Sequence, residues 1–526
     1  MPRVLNYSSN FSRMNPFWKF LPFINNYITR CQLVMQHGRT VSNIAIFYPL
    51  FNYNDSILKK EDLVGGYLDD TDIKLEKNQS GATLKDWERF DSNDKWILFL
   101  ISLTDMLTNN GYYYTHINEE SILKSYVKDY NLMIGAGCFK VLVLLNIEKI
   151  SLELALKLEK LANEGMQIIF LKKLPNQQNG FLNYEENDKN IEELINKILK
   201  FINVHFIDDI IKLPRFLNNN LKIFPGLQFE REIKFIQYIH RKCLYTDYFF
   251  LRNSSNQSKK IVAIFPIQGK IPFIMNPWTG EVKQAPQYED KGSKIKMDLY
   301  FEPYDSKIIE FKKSHKKIHV VKSPIEIKRE SKDLVSYLET TRIFKINLSD
   351  GTKEIFEITN PKLPFIFFDV WELRTELRDS NGNRKKVTLN LKKLKDWKEI
   401  PELTYCSSSG LYISKFYLTD NYLKKDIRLI LSLGQLNDVA IVKLNGIELK
   451  PLLNYPYEIE ISNQVKKGEN NIEIEVIPTL RNRLVGYSKV RGKNWKNHRG
   501  KNLAPTGLVG PVLIRILKRV IIVSSK

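Results

Sequence analysis

The stretch "FKVLVLLN" (Phe139–Asn146) constrains the chain most, because the five consecutive apolar residues from Val141 to Leu145 leave a strand no polar face. Such a strand has to be covered on both sides, as in a parallel sheet flanked by helices. The neighbouring sequence supplies the cover. "SLELALKLEKLANEG" reads as a helix with Ser151 as N-cap and Gly165 just past its end, and "MQIIFLKKLP" reads as the next strand. "NIEELINKILKFINVHFIDDIIKLP" repeats the alternation, and upstream "DKWILFLISLTDMLTNNG" is an amphipathic helix stopped by Gly111. No G-x-G-x-x-G or P-loop opens any of these helices, so nothing specific indicates nucleotide binding.

From about Ile239 the period changes and nearly everything reads as strands. "DYFFLRNSS", "KIVAIFPIQG", "KIPFIMNPWTGEV" and "MDLYFEPYDSKIIEF" have the short spacing and turn residues of a sandwich. A second β region starts near Leu334, and in its "GENNIEIEVIP" segment Ile472, Ile474 and Val476 face one way while Glu473 and Glu475 face the other. "VKLNGIELK" (Val442–Lys450) is a hairpin, since Asn-Gly tolerates the positive φ that a tight two-residue turn demands.

With 526 residues and 43% hydrophobic content the chain can bury several cores. Its formal net charge of +21 would suit an anionic partner, yet the lysines are scattered among Asn and Ile. The densest run, Phe311–Lys332, contains "IHVV" and "IEI" and reads as solvated strand faces and a loop, so no nucleic-acid partner is expected. Cys31, Cys138, Cys243 and Cys406 lie far apart with no C-x-x-C pair, which indicates neither a disulfide framework nor a zinc site. No stretch reaches transmembrane length, and no membrane partner is expected. The first residues contain no signal-peptide h-region or cleavage site.

Residues 17 to 38 place Phe23, Tyr27, Cys31, Val34 and Met35 on one helical face, followed by the short strand "VSNIAIFYPL". The polar stretch after it carries Asp69, Asp70 and Asp72, which form either a cation-binding cluster or a solvated loop.

The last β region, with "LSLGQLNDVAIVKLNGIEL", "YPYEIEISNQVKKGENNIEIEVIPTLRNRLVGYS" and "APTGLVGPVLIRI", resembles the galactose-binding-like sandwich attached to many glycoside hydrolases. "LKDWKEIPELTYCSSSGLYISKF" is similar to its entry strand. "NPFWKFLPFINNYITRCQLVMQHGRTVSNIAIFYPL", "NGYYYTHINEESIL", "YIHRKCLYTDYFFLRN" and "NPWTGEV" occur in the order seen in glycoside hydrolase family 106, the α-L-rhamnosidases. The resemblance covers the C-terminal half of that family, whose members carry a catalytic (β/α)8 barrel before these segments.

The resemblance implies a multidomain α+β chain: residues 1–84 as the remnant of the end of a barrel plus linker, 85–238 as a flavodoxin-like α/β domain, 239–333 as a small β-sandwich, and 334–526 as a galactose-binding-like jelly-roll sandwich. It also implies inverting hydrolysis by two carboxylates, with calcium near the site through ligands the sequence does not identify. No Asp or Glu occurs before Asp55, and a barrel takes about 250 residues. The catalytic pair is therefore expected outside this chain, with no catalytic residue or metal ligand assigned within it. The chain then reads as a truncated hydrolase or one half of a split one, or as a non-catalytic carbohydrate-binding or scaffold protein derived from such an enzyme; the expected partners are a glycan and, for a split enzyme, a separate chain carrying the barrel. The family is often exported, and the compartment stays open.

For sugar contact the candidates are Trp397, Arg481, Asn482 and Arg483, where aromatic faces stack on sugars and Arg or Asn donate to hydroxyls; the alternative is that they pin the sandwich to its neighbour. Arg30, His37, Arg39, His240 and Arg241 are candidates for a subsite or for interdomain hydrogen bonds. Phe17, Trp18, Phe20 and Phe23 are expected to form an apolar scar where barrel elements would pack.

Overall fold

The computed structural model describes residues 13, 15–49, 92–231, 233–315, 317–340, 342–358, 365–368, 370–378, 383–491 and 502–524. The Asp69, Asp70 and Asp72 cluster lies outside the described residues. The chain divides into two compact units: one of Gln32–Met275 and Asp290–Ser314, the other of the described residues within Met1–Cys31, Asn276–Glu289 and His315–Lys526. The division falls inside the first long helix, α1 (Leu21–Gln36).

In the first of these units, five parallel strands form one sheet: β1 (Ile44–Phe47), β2 (Tyr114–Ile117), β3 (Val141–Leu145), β4 (Gln167–Leu171) and β5 (Val204–Ile207). Their spatial order is β2-β1-β3-β4-β5, and every neighbouring pair is parallel. This is the order of a doubly wound sheet with its switch point between β1 and β3. Ile44–Phe47, which the sequence reading assigned to a barrel end, is thus a central strand of this sheet. Its partners lie far along the chain, so local pattern identifies the strand but not the sheet to which it belongs.

The apolar run at Val141–Leu145 is buried throughout, as a strand covered on both faces requires. Between β1 and β2 runs helix α2 (Ser92–Asn109), and between β3 and β4 runs α3 (Leu152–Asn163). Ser151 caps α3 by accepting a hydrogen bond from the Leu154 amide at 2.9 Å, and Gly165 follows its end at a φ of 89°. Leu154, Ala155, Leu158, Leu161 and Ala162 form its buried stripe. Helix α4 (Tyr184–Ile198) connects β4 to β5 and buries Ile191, Ile195 and Ile198.

The same unit contains a β-sandwich. One sheet pairs β6 (Ile236–Lys242), β7 (Thr246–Asn253), β11 (Ser306–Lys312) and β9 (Ile271–Met275); the other pairs β8 (Lys259–Phe265) with β10 (Ile295–Phe301). Phe249 and Phe311 on the first sheet meet Phe265 on the second at centroid distances of 4.9 Å each, giving an aromatic core. Arg39–Thr40 adds a short strand to the edge of β6 before the chain enters the parallel sheet at β1.

The other unit is mostly strand. One antiparallel sheet has the order β12 (Asp333–Leu338), β20 (Leu513–Val523), β16 (Ile427–Ser432), β18 (Glu458–Glu460). The facing sheet has the order β14 (Arg384–Leu391), β13 (Trp371–Arg378), β15 (Gly410–Leu418), β19 (Gly468–Ile477), β17 (Val439–Leu444). Trp371, Tyr412, Leu429, Leu431, Ile472, Ile474 and Ile514 fill the space between them. The Asn445-Gly446 turn has φ of 52° and 83°, the double positive φ of a type I′ hairpin, and Asn445 holds strand β19 through Asn471 and Asn470. A second, smaller core around Phe344, Ile346 and Ile522 covers the far end of β20.

The expected apolar scar is only partly open. Phe20 is buried against Ile441 and Ile477, and Phe17 packs on the same cluster, whereas Trp18 and Phe23 are exposed. Phe23 faces solvent because the buried stripe of the helix runs through Ile24, Tyr27, Cys31 and Val34 instead.

The crevice at the switch point, where doubly wound sheets usually take ligands, is filled by Trp96 of α2. Its indole nitrogen donates to the Leu145 carbonyl at 2.7 Å, and its ring meets Tyr48 edge-on at 5.3 Å. Trp96→Ala is expected to destabilise this unit by ~3–5 kcal/mol, the usual cost of deleting a buried Trp, read as a lower calorimetric transition; an unchanged transition would show that the crevice does not depend on it.

Candidate functional site

The residues singled out near the first helix have internal partners. Arg30 donates from Nη1 to the carbonyls of Pro277 and Trp278, 2.9 Å each, and Tyr27 lies 4.4 Å from the Trp278 ring. These bonds hold the Asn276–Glu281 turn, in which Asn276 Oδ1 also accepts the amides of Trp278 and Thr279.

In the other unit, Arg241 donates to the carbonyls of His37 and Gly38, at 3.1 and 2.6 Å, and to the Thr40 hydroxyl. It therefore satisfies the carbonyls at the C-terminal end of α1. His37 and Arg39 themselves are exposed.

His240 is buried, stacked on Phe249 at 4.1 Å, and bonded through Nε2 to Asp247 at 2.7 Å. Burial pushes its imidazole below the ordinary value, against the opposing pull of Asp247. Burial also opposes ionisation of Asp247, but hydrogen bonds from His240 and Lys270 hold that carboxyl below its ordinary value. The His240–Asp247–Lys270 row lies within one sandwich and ties its own strands.

The C-terminal candidates separate into two groups. Trp397 is fully buried, and its indole nitrogen donates to the Tyr412 hydroxyl at 2.6 Å. A Cβ on Gly410 would lie 2.5 Å from the indole Cζ2, and one on Gly507 would collide with the pyrrole side. The ring is clamped between two backbones, so it presents no face to a sugar.

Asn482 is also buried, and in a region where nearly everything reads as strands Arg481–Arg491 instead forms a helix, α5. The Asn482 amide donates to the Ala504 carbonyl and the Thr506 hydroxyl, and its Oδ1 accepts the Ala504 amide at 2.8 Å.

Residues 504–508 form a strap whose backbone is almost wholly used. Thr506 receives the Trp397 amide on its carbonyl and donates to Asp396 Oδ1, Gly507 donates to Asp438 Oδ2, and Leu508 donates to the Tyr412 hydroxyl. Asp396, Asp438 and Tyr412 carry bonds here that sequence alone did not signal.

Arg483 stands apart. It lines a cleft of about 400 Å³ with Glu376, Arg378, Arg384, Lys385, Glu402 and Tyr405. Its Nε and Nη2 both donate to the Tyr487 hydroxyl, at 3.1 and 2.6 Å. Tyr405 is held by Lys489, whose Nζ donates to its hydroxyl at 2.9 Å. Glu376 sits between Arg378 and Arg384 at 3.4 and 3.6 Å. Among the described residues no group of three or more His, Cys, Asp or Glu is arranged to hold a metal ion, and no helix is long and apolar enough to cross a membrane.

Residues 51–290 match the family described as alpha-L-rhamnosidase, glycoside hydrolase family 106. A rhamnosidase from Novosphingobium sp. PP1Y superposes with a TM-score of 0.60 at 20% identity, over 97% of this chain and 42% of that one. The chain is a family 106-like protein. A putative beta-glucuronidase from Formosa agariphila is 33% identical over 109 residues, 20% of this chain and 9% of that protein. The likeness to a beta-galactosidase from Bacillus circulans sp. alkalophilus, at 10% identity over 55% of this chain and 44% of that one, has a TM-score of 0.32 and carries no argument. The family 106-like chain thus spans less than half the length of these proteins, and its mixed α and β, mostly sheet architecture is consistent with a multidomain rhamnosidase-like fold.

In the strap of this family 106-like chain, burial raises the Asp438 carboxyl to about 6, against the pull of the Gly507 and Thr479 amides. Its folded value lies above the unfolded one of about 4, so the folded state holds the extra proton between those pH values. This stabilisation is whole below pH ~4 and is lost as the pH rises through ~6. The stability difference between the parent protein and Asp438→Asn is therefore expected to shift against the parent by up to ~2 kcal/mol from pH 4.5 to pH 7.5, read by urea unfolding at both values. A pH-independent difference would contradict the assignment.

Proposed function

We propose that the chain is the accessory C-terminal half of an α-L-rhamnosidase-type glycoside hydrolase acting on rhamnose-containing glycans, with the catalytic carboxylates contributed by a barrel that is not among its 526 residues. The observation that carries this reading is the superposition of nearly the whole chain on less than half of a rhamnosidase. In this reading the doubly wound sheet is a flavodoxin-like layer, and the two facing sheets around Trp371 and Tyr412 are the galactose-binding-like module.

The buried acids support the same division of labour. Inverting hydrolysis needs one carboxylic acid and one carboxylate free to face the scissile bond. Among the described residues, Asp247, Glu310, Asp396 and Asp438 are the buried acids, and each is bonded to neighbouring backbone or side chains. The second reading, a non-catalytic glycan-binding or scaffold protein derived from such an enzyme, is favoured by the cleft beside Arg483.

The purified chain is expected to release no p-nitrophenol from an aryl α-L-rhamnoside, and to give release when a separately expressed family 106 barrel is added. Release by the chain alone would contradict the proposed placement of the acids. No release after mixing would favour the second reading.

A further inference from the structure

The cleft between β13, β14 and α5 contains an uneven set of charges. Arg378, Arg384, Lys385 and Arg483 line it against two carboxylates, Glu376 and Glu402. One of those carboxylates is already shared, since Glu376 forms ion pairs with both Arg378 and Arg384. Arg483 is oriented by a neutral group, the Tyr487 hydroxyl, which leaves its charge uncompensated by any ion pair among the described residues. Lys385 is exposed and likewise makes no ion pair among them. A guanidinium fixed on one edge by a hydroxyl presents its other edge as a planar fork, the geometry that suits a carboxylate or sulfate.

The walls add polar groups without adding negative charge. Ser407 and Ser408 line the cleft, and the edge of Tyr405 is exposed beside them. Tyr405 packs on α5: a Cβ on Gly486 would lie 2.9 Å from its ring, and the Lys489 Nζ lies 5.4 Å from the ring centroid. A volume of about 400 Å³ falls within the range of small-ligand pockets.

We infer that the Arg483 cleft binds an acidic sugar residue, its carboxylate or sulfate ester held by Arg483 and Lys385 and its hydroxyls by the serine and tyrosine wall. The sugar half of this ligand rests on the glycan-acting reading above; the anionic half rests on the charges alone.

The test is calorimetry on the full chain at low salt with four probes: trigalacturonate, a sulfated galactose disaccharide, a neutral rhamnose-containing disaccharide, and sodium sulfate. At least one acidic oligosaccharide is expected to bind at least about tenfold tighter than the neutral one, and Arg483→Gln or Lys385→Glu to weaken it about tenfold or more, the effect of losing one charge-assisted bond. Whether the uronate or the sulfated probe binds identifies the acidic group. Lys385 is exposed on a strand, so its variant keeps the test valid if Arg483→Gln unfolds. Equal binding of the neutral sugar, no binding of either acidic sugar at millimolar concentration, full displacement by equimolar sulfate, or insensitivity to both variants would each overturn the inference. Rhamnoside hydrolysis is read by the separate aryl-rhamnoside assay, so failure of this inference and failure of the rhamnosidase reading are distinguishable.

Discussion

The C-terminal unit depends on the clamping of Trp397. A tryptophan side chain buries a large apolar area, but its N–H requires a partner once water is removed. Tyr412 supplies that partner from the middle of a sheet, and the same hydroxyl accepts the Leu508 amide. One oxygen therefore joins the entry segment, the central strand β15 and the strap. Gly410 and Gly507 let backbone approach the ring where any Cβ would intrude, so sequence distant from Trp397 is drawn onto it. Asp396 and Asp438 then take the amides the strap would otherwise leave unpaired in the interior.

This arrangement separates recognition from support along a short piece of chain. Asn482 and Arg483 are adjacent in sequence, yet the helix turns Asn482 inward to the strap and Arg483 outward to the cleft. A similar economy operates in the other unit, where Arg241 closes the end of α1 while its neighbour His240 bonds Asp247 on the next strand. Residues that look alike as a run of polar side chains have different duties because successive side chains point to opposite faces of a strand and about 100° apart around a helix.

Much of the architecture was legible from local pattern. The apolar Val141–Leu145 run, the capped helix at Ser151 and the Asn-Gly hairpin all formed where their residues predict, because each signal is complete within a few positions. Helix α5 was not legible: its sequence contains Gly486 and lacks an apolar stripe, and the glycine is accommodated because the Tyr405 ring occupies the space a side chain would need. The burial of Trp397 was equally hidden, since it depends on two glycines, one of them far along the chain. The placement of β1 was misread for a related reason, as its parallel neighbours are remote in sequence. Family resemblance supplied what local pattern could not, namely the likeness to family 106, and the matched family and fold agree with that likeness.

The most direct test of the strap is amide hydrogen exchange at Thr506, Gly507 and Leu508. Each of these amides is buried on a fixed acceptor, so protection comparable to that of β15 and β19 is expected although Thr506 and Gly507 belong to no helix or strand. Exchange at the rate of an exposed loop would mean that the strap opens freely, that Trp397 can reach solvent, and that its assignment as a structural rather than a sugar-contacting residue is wrong.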